Sequence, residues 1–248
     1  MPPPRDTCKI AKKCYTSDIK YHIKNYAFTL AEVLITLGII GIVAALVMPN
    51  LISNYREKQN IVKWKKQYSV FSQAYEKIKQ DVGGDEALQD ILDKTTWQDS
   101  STITNLFLQY IPMKECNTEI QCNNSGYENA YKTLAGNILD WQNLTWYNYL
   151  LPGGENLYGR SWGGGSVRWF IDVNGYSSGP NTLGKDLFTF YFNGKYITPG
   201  GSAREESIDP AKSCIPEAYS DVTNLGSYML QGNRDISGLG CSSKYLLE

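Results

Sequence analysis

Three sets of side chains in the 248 residues have types and spacings that could do chemistry. The first is a lone carboxylate, Glu32, inside the apolar run Phe28–Met48, FTLAEVLITLGIIGIVAALVM. A carboxylate among lipids is costly, so it marks a functional position and needs a partner. The second is the series Asp172, Asn174, Asn181 and Asp186, set among Gly175, Gly179 and Gly184. Asp and Asn oxygens alternating with glycine turns suit calcium, a hard cation with about six to eight oxygen ligands. The same residues also build tight β-loops through Asx-turns and positive φ, and that reading stands beside the metal. The third is a set of four cysteines beyond the run, Cys116, Cys122, Cys214 and Cys241. Four cysteines allow three pairings, and local pairing, Cys116 with Cys122 and Cys214 with Cys241, is the expectation. The second bond would staple a Gly/Ser-rich tail with little core of its own. A zinc site built from all four thiolates competes, although paired C-x-x-C spacing is absent.

The single histidine, His22, precedes the apolar run, as do Cys8 and Cys14. A chain cut after residue 27 therefore has no histidine, which excludes His-based triads and His-ligated zinc. No nucleophile–base constellation is visible elsewhere, so no enzyme is expected. The glycine clusters Gly153-Gly154 and Gly163-Gly164-Gly165 lack the Lys-Ser/Thr pair and opening helix of a phosphate loop, and read as turns.

The elements that must position these groups begin with the run itself. Its 21 residues, at about 1.5 Å each, cross a bilayer core as a helix. The 27 residues before it hold six basic groups (Arg5, Lys9, Lys12, Lys13, Lys20 and Lys24) against Asp6 and Asp18, whereas the rest carries 18 basic and 23 acidic groups. A basic flank on an apolar run stays cytoplasmic. The acidic remainder argues against nucleic acid as a partner, since phosphate binding needs clustered positive charge. A plain transmembrane anchor accounts for the length, and a secretory signal peptide for the basic head. Neither accounts for Glu32. A cut between Ala27 and Phe28 does, because it frees an α-amino group at Phe28 and makes Glu32 the fifth residue. In a staggered bundle of identical helices, one subunit's Glu32 then meets a neighbour's terminal ammonium, which offsets desolvation and sets the register.

Beyond Pro49, which removes one backbone donor and would kink a helix, the apolar residues Leu51, Tyr55, Ile61, Val62, Tyr68, Phe71, Tyr75 and Ile78 recur at helical spacing. Basic residues stand between them, and the Lys63–Lys66 cluster could touch lipid headgroups or DNA, or simply face water. This amphipathic helix is expected to end near Val82-Gly83-Gly84. The stretch from Asp85 to about Tyr110 reads as one or two short helices or loops. Four β-rich runs follow, Tyr131–Leu139, Leu144–Leu150, Ser166–Val173 and Leu187–Phe192, and predict an antiparallel sheet of about four strands. The fold class is thus α+β, a long N-terminal helix packed by its outer half on a small sheet. The expected division is 1–27 as a leader, 28–48 as a membrane helix, 49–82 as its amphipathic continuation and 83–248 as the globular head.

The octapeptide Ala27-Phe28-Thr29-Leu30-Ala31-Glu32-Val33-Leu34 resembles the class III signal of type IV pilins and type II secretion pseudopilins. In that family a small residue, usually Gly, precedes the cut and an aromatic follows it. The resemblance implies cleavage by prepilin peptidase between Ala27 and Phe28, and N-methylation of Phe28. It makes Glu32 the assembly glutamate and Pro49 the helix proline found after the apolar half in many members. It further implies an inner-membrane protein with an extracytoplasmic head, partnered by other pilin or pseudopilin subunits and an inner-membrane assembly platform. The loop from Asp172 to Asp186 also looks like one in pseudopilin-like proteins where some relatives hold calcium. The 221 residues after Ala27 are many for a major pilin and favour a minor subunit. A reading from another class is a membrane-tethered carbohydrate- or surface-binding protein, with Trp141, Trp146, Trp162 and Trp169 as contacts.

Overall fold

The computed structural model describes residues 28–94, 101–116, 131–139, 147–161, 167–192, 194–201, 213–216 and 237–247. The chain divides into two compact units, Met1–Pro49 and Asn50–Glu248. Among the described residues the helices are α1 (Leu30–Val82), α2 (Asp85–Lys94), α3 (Ser101–Leu108) and α4 (Cys241–Leu247). The strands are β1 (Lys114–Glu115), β2 (Tyr147–Leu150), β3 (Asn156–Ser161), β4 (Val167–Asp172), β5 (Leu187–Phe192) and β6 (Ile197–Pro199).

Helix α1 runs through Pro49 without ending there. It closes at the expected glycines, where Gly84 N–H donates to the Lys79 carbonyl at 2.7 Å, a Schellman-type stop. The buried face of its outer half is Asn60, Trp64, Gln67, Phe71, Ala74, Tyr75 and Ile78. This corrects the expected stripe in part, because Leu51, Tyr55 and Val62 are exposed. At about 100° per residue those three fall on the side opposite Trp64 and Phe71. Two apolar stripes share this helix, and the sheet covers one of them.

The six strands form an antiparallel meander in chain order, so each pairs with its sequence neighbour and no crossover is needed. Residues that alternate along β4 and β5, namely Val167, Trp169, Ile171, Phe188, Phe190 and Phe192, join the helical face in one core. Trp64 stacks on Phe188 with centroids 5.1 Å apart, and Phe71 meets Trp169 edge-on at 5.3 Å. Phe107 of α3 closes the cluster 4.9 Å from Trp169. Gly159 of β3 faces Trp169 in register, and a Cβ there would lie 2.7 Å from the indole Nε1, so only glycine fits beside that ring.

Three expectations about the elements change. Tyr131–Leu139 is not a strand: it folds back on itself, with Thr133 N–H donating to Asn137 O at 2.8 Å and only isolated bridges at Lys132. Strand β3 (NLYGRS) carries few β-formers and exists because β2 and β4 pair with it on both sides. The tail ends in α4, whose Cys241, Ser242 and Ser243 are buried; Trp64 Nε1–H donates to Ser242 O at 2.9 Å, and Ser242 Oγ accepts Thr189 N–H at 2.9 Å.

Candidate functional site

Two sites emerge, one at each end of the argument from sequence. At the start of α1, Thr29 N–H and the Thr29 hydroxyl both donate to Glu32 Oε2 at 2.8 Å. In return Glu32 N–H donates to Thr29 Oγ1 at 3.2 Å. This is a capping box, in which residues three apart satisfy each other's free helix-start groups. Its T-x-x-E signature stands in the sequence at 29–32, unremarked because the apolar run around it drew the reading toward membrane depth. Phe28 is 82% exposed. Ala27 lies outside the described residues. The apolar part of α1 is long and apolar enough to cross a membrane, and none of its most apolar window is buried within the chain.

The second site lies at the end of β4 and in the loop that leads from it into β5. Asp172, the last residue of β4, and Asp186, just before β5, are both fully buried. Asp172 Oδ2 accepts the Tyr131 hydroxyl at 2.8 Å, and Tyr158 OH in turn lies 2.8 Å from Tyr131 OH. Asp172 Oδ1 accepts Asn174 N–H at 3.2 Å. Asp186 accepts Asn181 N–H at 2.7 Å and Thr182 N–H at 2.6 Å, and Asn174 Nδ2 reaches its Oδ2 at 3.4 Å. The structure thus brings Asp172, Asn174, Asn181 and Asp186 into one loop, as the spacing required. Sequence reading missed Tyr131 and Tyr158, because their link to Asp172 depends on the fold-back of 131–139.

Burial, and after it the neighbouring Asp186 carboxylate, push Asp172 up to about 7. Burial also raises Asp186, against the lowering effect of the Thr182 and Asn181 amides. Tyr131 is raised as well, by burial and then by Tyr158 and Asp172. Two observations bear on a cation here. The side-chain oxygens of Asn174 and Asn181 are buried without a hydrogen-bond partner, and two buried carboxylates sit close enough to disfavour each other's charge. That donor set, two carboxylates and two amide oxygens, has the hard-oxygen chemistry calcium takes. Against it, among the described residues no cluster of three or more His, Cys, Asp or Glu is present, and the backbone amides already close the loop as Asx-turns.

Cys214 and Cys241 form a disulfide, 27 residues apart, in the pairing expected. Cys241 Sγ packs against Gly184, where φ is +87° and a Cβ would sit 2.7 Å from the sulfur. The bond ties α4 to Cys214, while the Cys241 sulfur packs against the loop that carries Asp186. Cys116 is also disulfide-bonded; Cys122 lies outside the described residues. Of the four tryptophans weighed as surface contacts, Trp169 is buried in the core at 1% exposure, which corrects that expectation. Trp141, Trp146 and Trp162 lie outside the described residues.

No curated protein and no solved structure matches this chain. A profile of the prokaryotic N-terminal methylation motif matches residues 23–48. The match takes in Lys24, Phe28, Glu32 and the whole apolar run, and so this chain carries the prokaryotic N-terminal methylation motif, the type IV prepilin signal, at residues 23–48.

Proposed function

We propose that the chain is the precursor of a minor, structural subunit of a type IV pilus, competence filament or type II secretion pseudopilus. Prepilin peptidase cuts between Ala27 and Phe28 and methylates the Phe28 amine. The subunit then stands in the inner membrane on its Phe28–Met48 helix, with the head outside the cytoplasm, until the assembly platform adds it to a filament. Within the membrane the apolar run is solvated by lipid; once extracted, roughly 21 apolar residues must be covered by neighbouring helices, and that burial retains the subunit in the fibre. The single observation that carries this reading is Glu32, a carboxylate alone in the matched apolar run. Its charge is met by a neighbour's Phe28 ammonium, which sets the stagger. The uncovered stripe of Leu51, Tyr55 and Val62 supports the same reading, as an apolar face left for adjacent helices.

Calcium, if bound, would be held by Asp172, Asn174, Asn181 and Asp186. It would supply the positive charge that two buried carboxylates lack and would stiffen the loop that leads into β5.

N-terminal sequencing of the exported product tests the processing step. It should begin at Phe28, methylated; a product that starts elsewhere, or keeps the leader in cells with an active peptidase, removes the proposal.

A further inference from the structure

A polar cleft of about 650 Å³ opens between α1 and the short turn Tyr176–Ser178. Its helical wall carries Arg56, Gln59, Asn60 and Lys63, and its loop wall carries Ser177, Ser178, Gly179 and Asn174, the last shared with the Asp172–Asp186 loop. None of the residues lining it is acidic. Arg56 and Lys63 are exposed, and neither forms an ion pair among the described residues. Asn60 is only 5% exposed yet lines the cleft. Two uncompensated cations flanking amides and hydroxyls form a site for an anionic group with hydrogen-bonding substituents.

What lies below the cleft on the same helix narrows the class. At about 100° per residue, Ile52, Arg56, Gln59 and Lys63 fall within about 60° of one another. The charged wall therefore runs down into an aliphatic side chain, Ile52, 49% exposed, beside the exposed Leu51 and Tyr55. A tyrosine between an apolar stretch and a basic residue is characteristic of the membrane–water boundary. A free phosphate would engage the cations alone. An amphiphile would engage the whole stripe, with acyl chain along Ile52, phosphate at Arg56 and Lys63, and headgroup hydroxyls at Gln59, Asn60, Ser177 and Ser178.

We propose that this cleft holds the phosphate-bearing headgroup of an anionic phospholipid, an inference that rests on membrane insertion of Phe28–Met48. The contact would fix the height and rotation of the head above the bilayer before the subunit is extracted.

The test uses the full chain in phosphatidylcholine vesicles doped with spin-labelled phosphatidylglycerol or spin-labelled phosphatidylcholine. Electron spin resonance reads the motionally restricted fraction of each. Two cationic contacts predict a preference for phosphatidylglycerol on the order of tenfold, falling to parity in Arg56→Gln/Lys63→Gln and unchanged in the control Lys65→Gln/Lys66→Gln. Equal restriction of both lipids by the unaltered chain, or an undiminished preference in the cleft variant, overturns the proposal. Loss of the preference on adding inorganic phosphate, but not chloride at matched ionic strength, assigns the cleft to free phosphate and overturns the lipid source. Circular dichroism checks that the cleft variant stays folded. A chain that fails to float with vesicles overturns the membrane reading itself, and is told apart by flotation from a chain that inserts without lipid preference.

Discussion

Glu32 Oε2 lies 2.8 Å from both the backbone nitrogen and the hydroxyl of Thr29, so the carboxylate in the apolar run has a polar partner within its own subunit. The geometry separates two roles that a simple deletion confounds. As the third helical residue Glu32 needs only an acceptor oxygen, which glutamine also supplies. As the partner of a neighbour's ammonium it needs a negative charge. Glu32→Gln should therefore keep membrane insertion and cleavage before Phe28, yet fall to background in sheared filament fractions, as Glu32→Ala should. Wild-type incorporation of Glu32→Gln, read by immunoblot, would falsify the charge-pairing step. Thr29→Ala, which removes the hydroxyl and leaves the carboxylate, should still assemble.

Asp172 makes the head's stability depend on pH, with a sign that can be worked out. Its folded value of about 7 lies above the ordinary 3.8, so folding favours the protonated form. Its stabilising contribution is complete below about pH 4 and is lost as pH rises through about 7. The interval is worth on the order of 4 kcal/mol at about 1.4 kcal/mol per pH unit. In chelator, urea midpoints should fall steadily from pH 4 to pH 8, and Asp172→Asn should flatten the fall. With millimolar calcium the unaltered protein should regain the lost stability at pH 8. If calcium leaves the midpoint unmoved, Asp172, Asn174, Asn181 and Asp186 form a turn and not a metal site.

Trp64 joins α1 to the sheet and to the end of the chain at once. Its ring is fully buried, stacks on Phe188, and its N–H holds the Ser242 carbonyl. Trp64→Ala should cost about 3–5 kcal/mol of unfolding free energy, as large aromatic truncations in cores do. Trp64→Phe keeps a ring over Phe188 but removes a buried donor, for about 1–3 kcal/mol. Equal losses in the two variants, measured by denaturant unfolding, would show that the hydrogen bond and not the packing dominates.

Reduction of Cys214–Cys241 should loosen α4 ahead of the rest of the head. Closing a loop of 27 residues stabilises by about 3 kcal/mol in the chain-entropy view. Cys214→Ser/Cys241→Ser should lower the midpoint by roughly 10 °C and expose the C-terminal segment to protease first. A double variant as resistant as the parent would mean that the non-covalent contacts to Trp64, Thr189, Phe188 and Gly201 suffice to hold α4.

The reach of the sequence differs between the two ends of the chain. At the N-terminus the signal lies in composition and local order: an apolar run of membrane length, a carboxylate in its first turn and a basic flank are properties of consecutive residues, so the matched motif and the helix beyond it were legible without a fold. The α+β class, the end of α1 at Val82 and the Cys214–Cys241 pairing were legible too, since glycine stops, aromatic strands and local cysteine pairs are short-range signals. Tertiary structure decided which of two apolar stripes on α1 is covered, because Trp64 and Gln67 face the sheet while Leu51 and Val62, equally apolar by letter or more so, face away. It also made a strand of Asn156–Ser161, whose residues have little β preference but whose neighbours on both sides supply hydrogen bonds. It turned Tyr131 from an expected strand residue into the partner of Asp172, across 41 positions. Such contacts depend on which surfaces the rest of the chain leaves uncovered, and no window of consecutive residues carries that information.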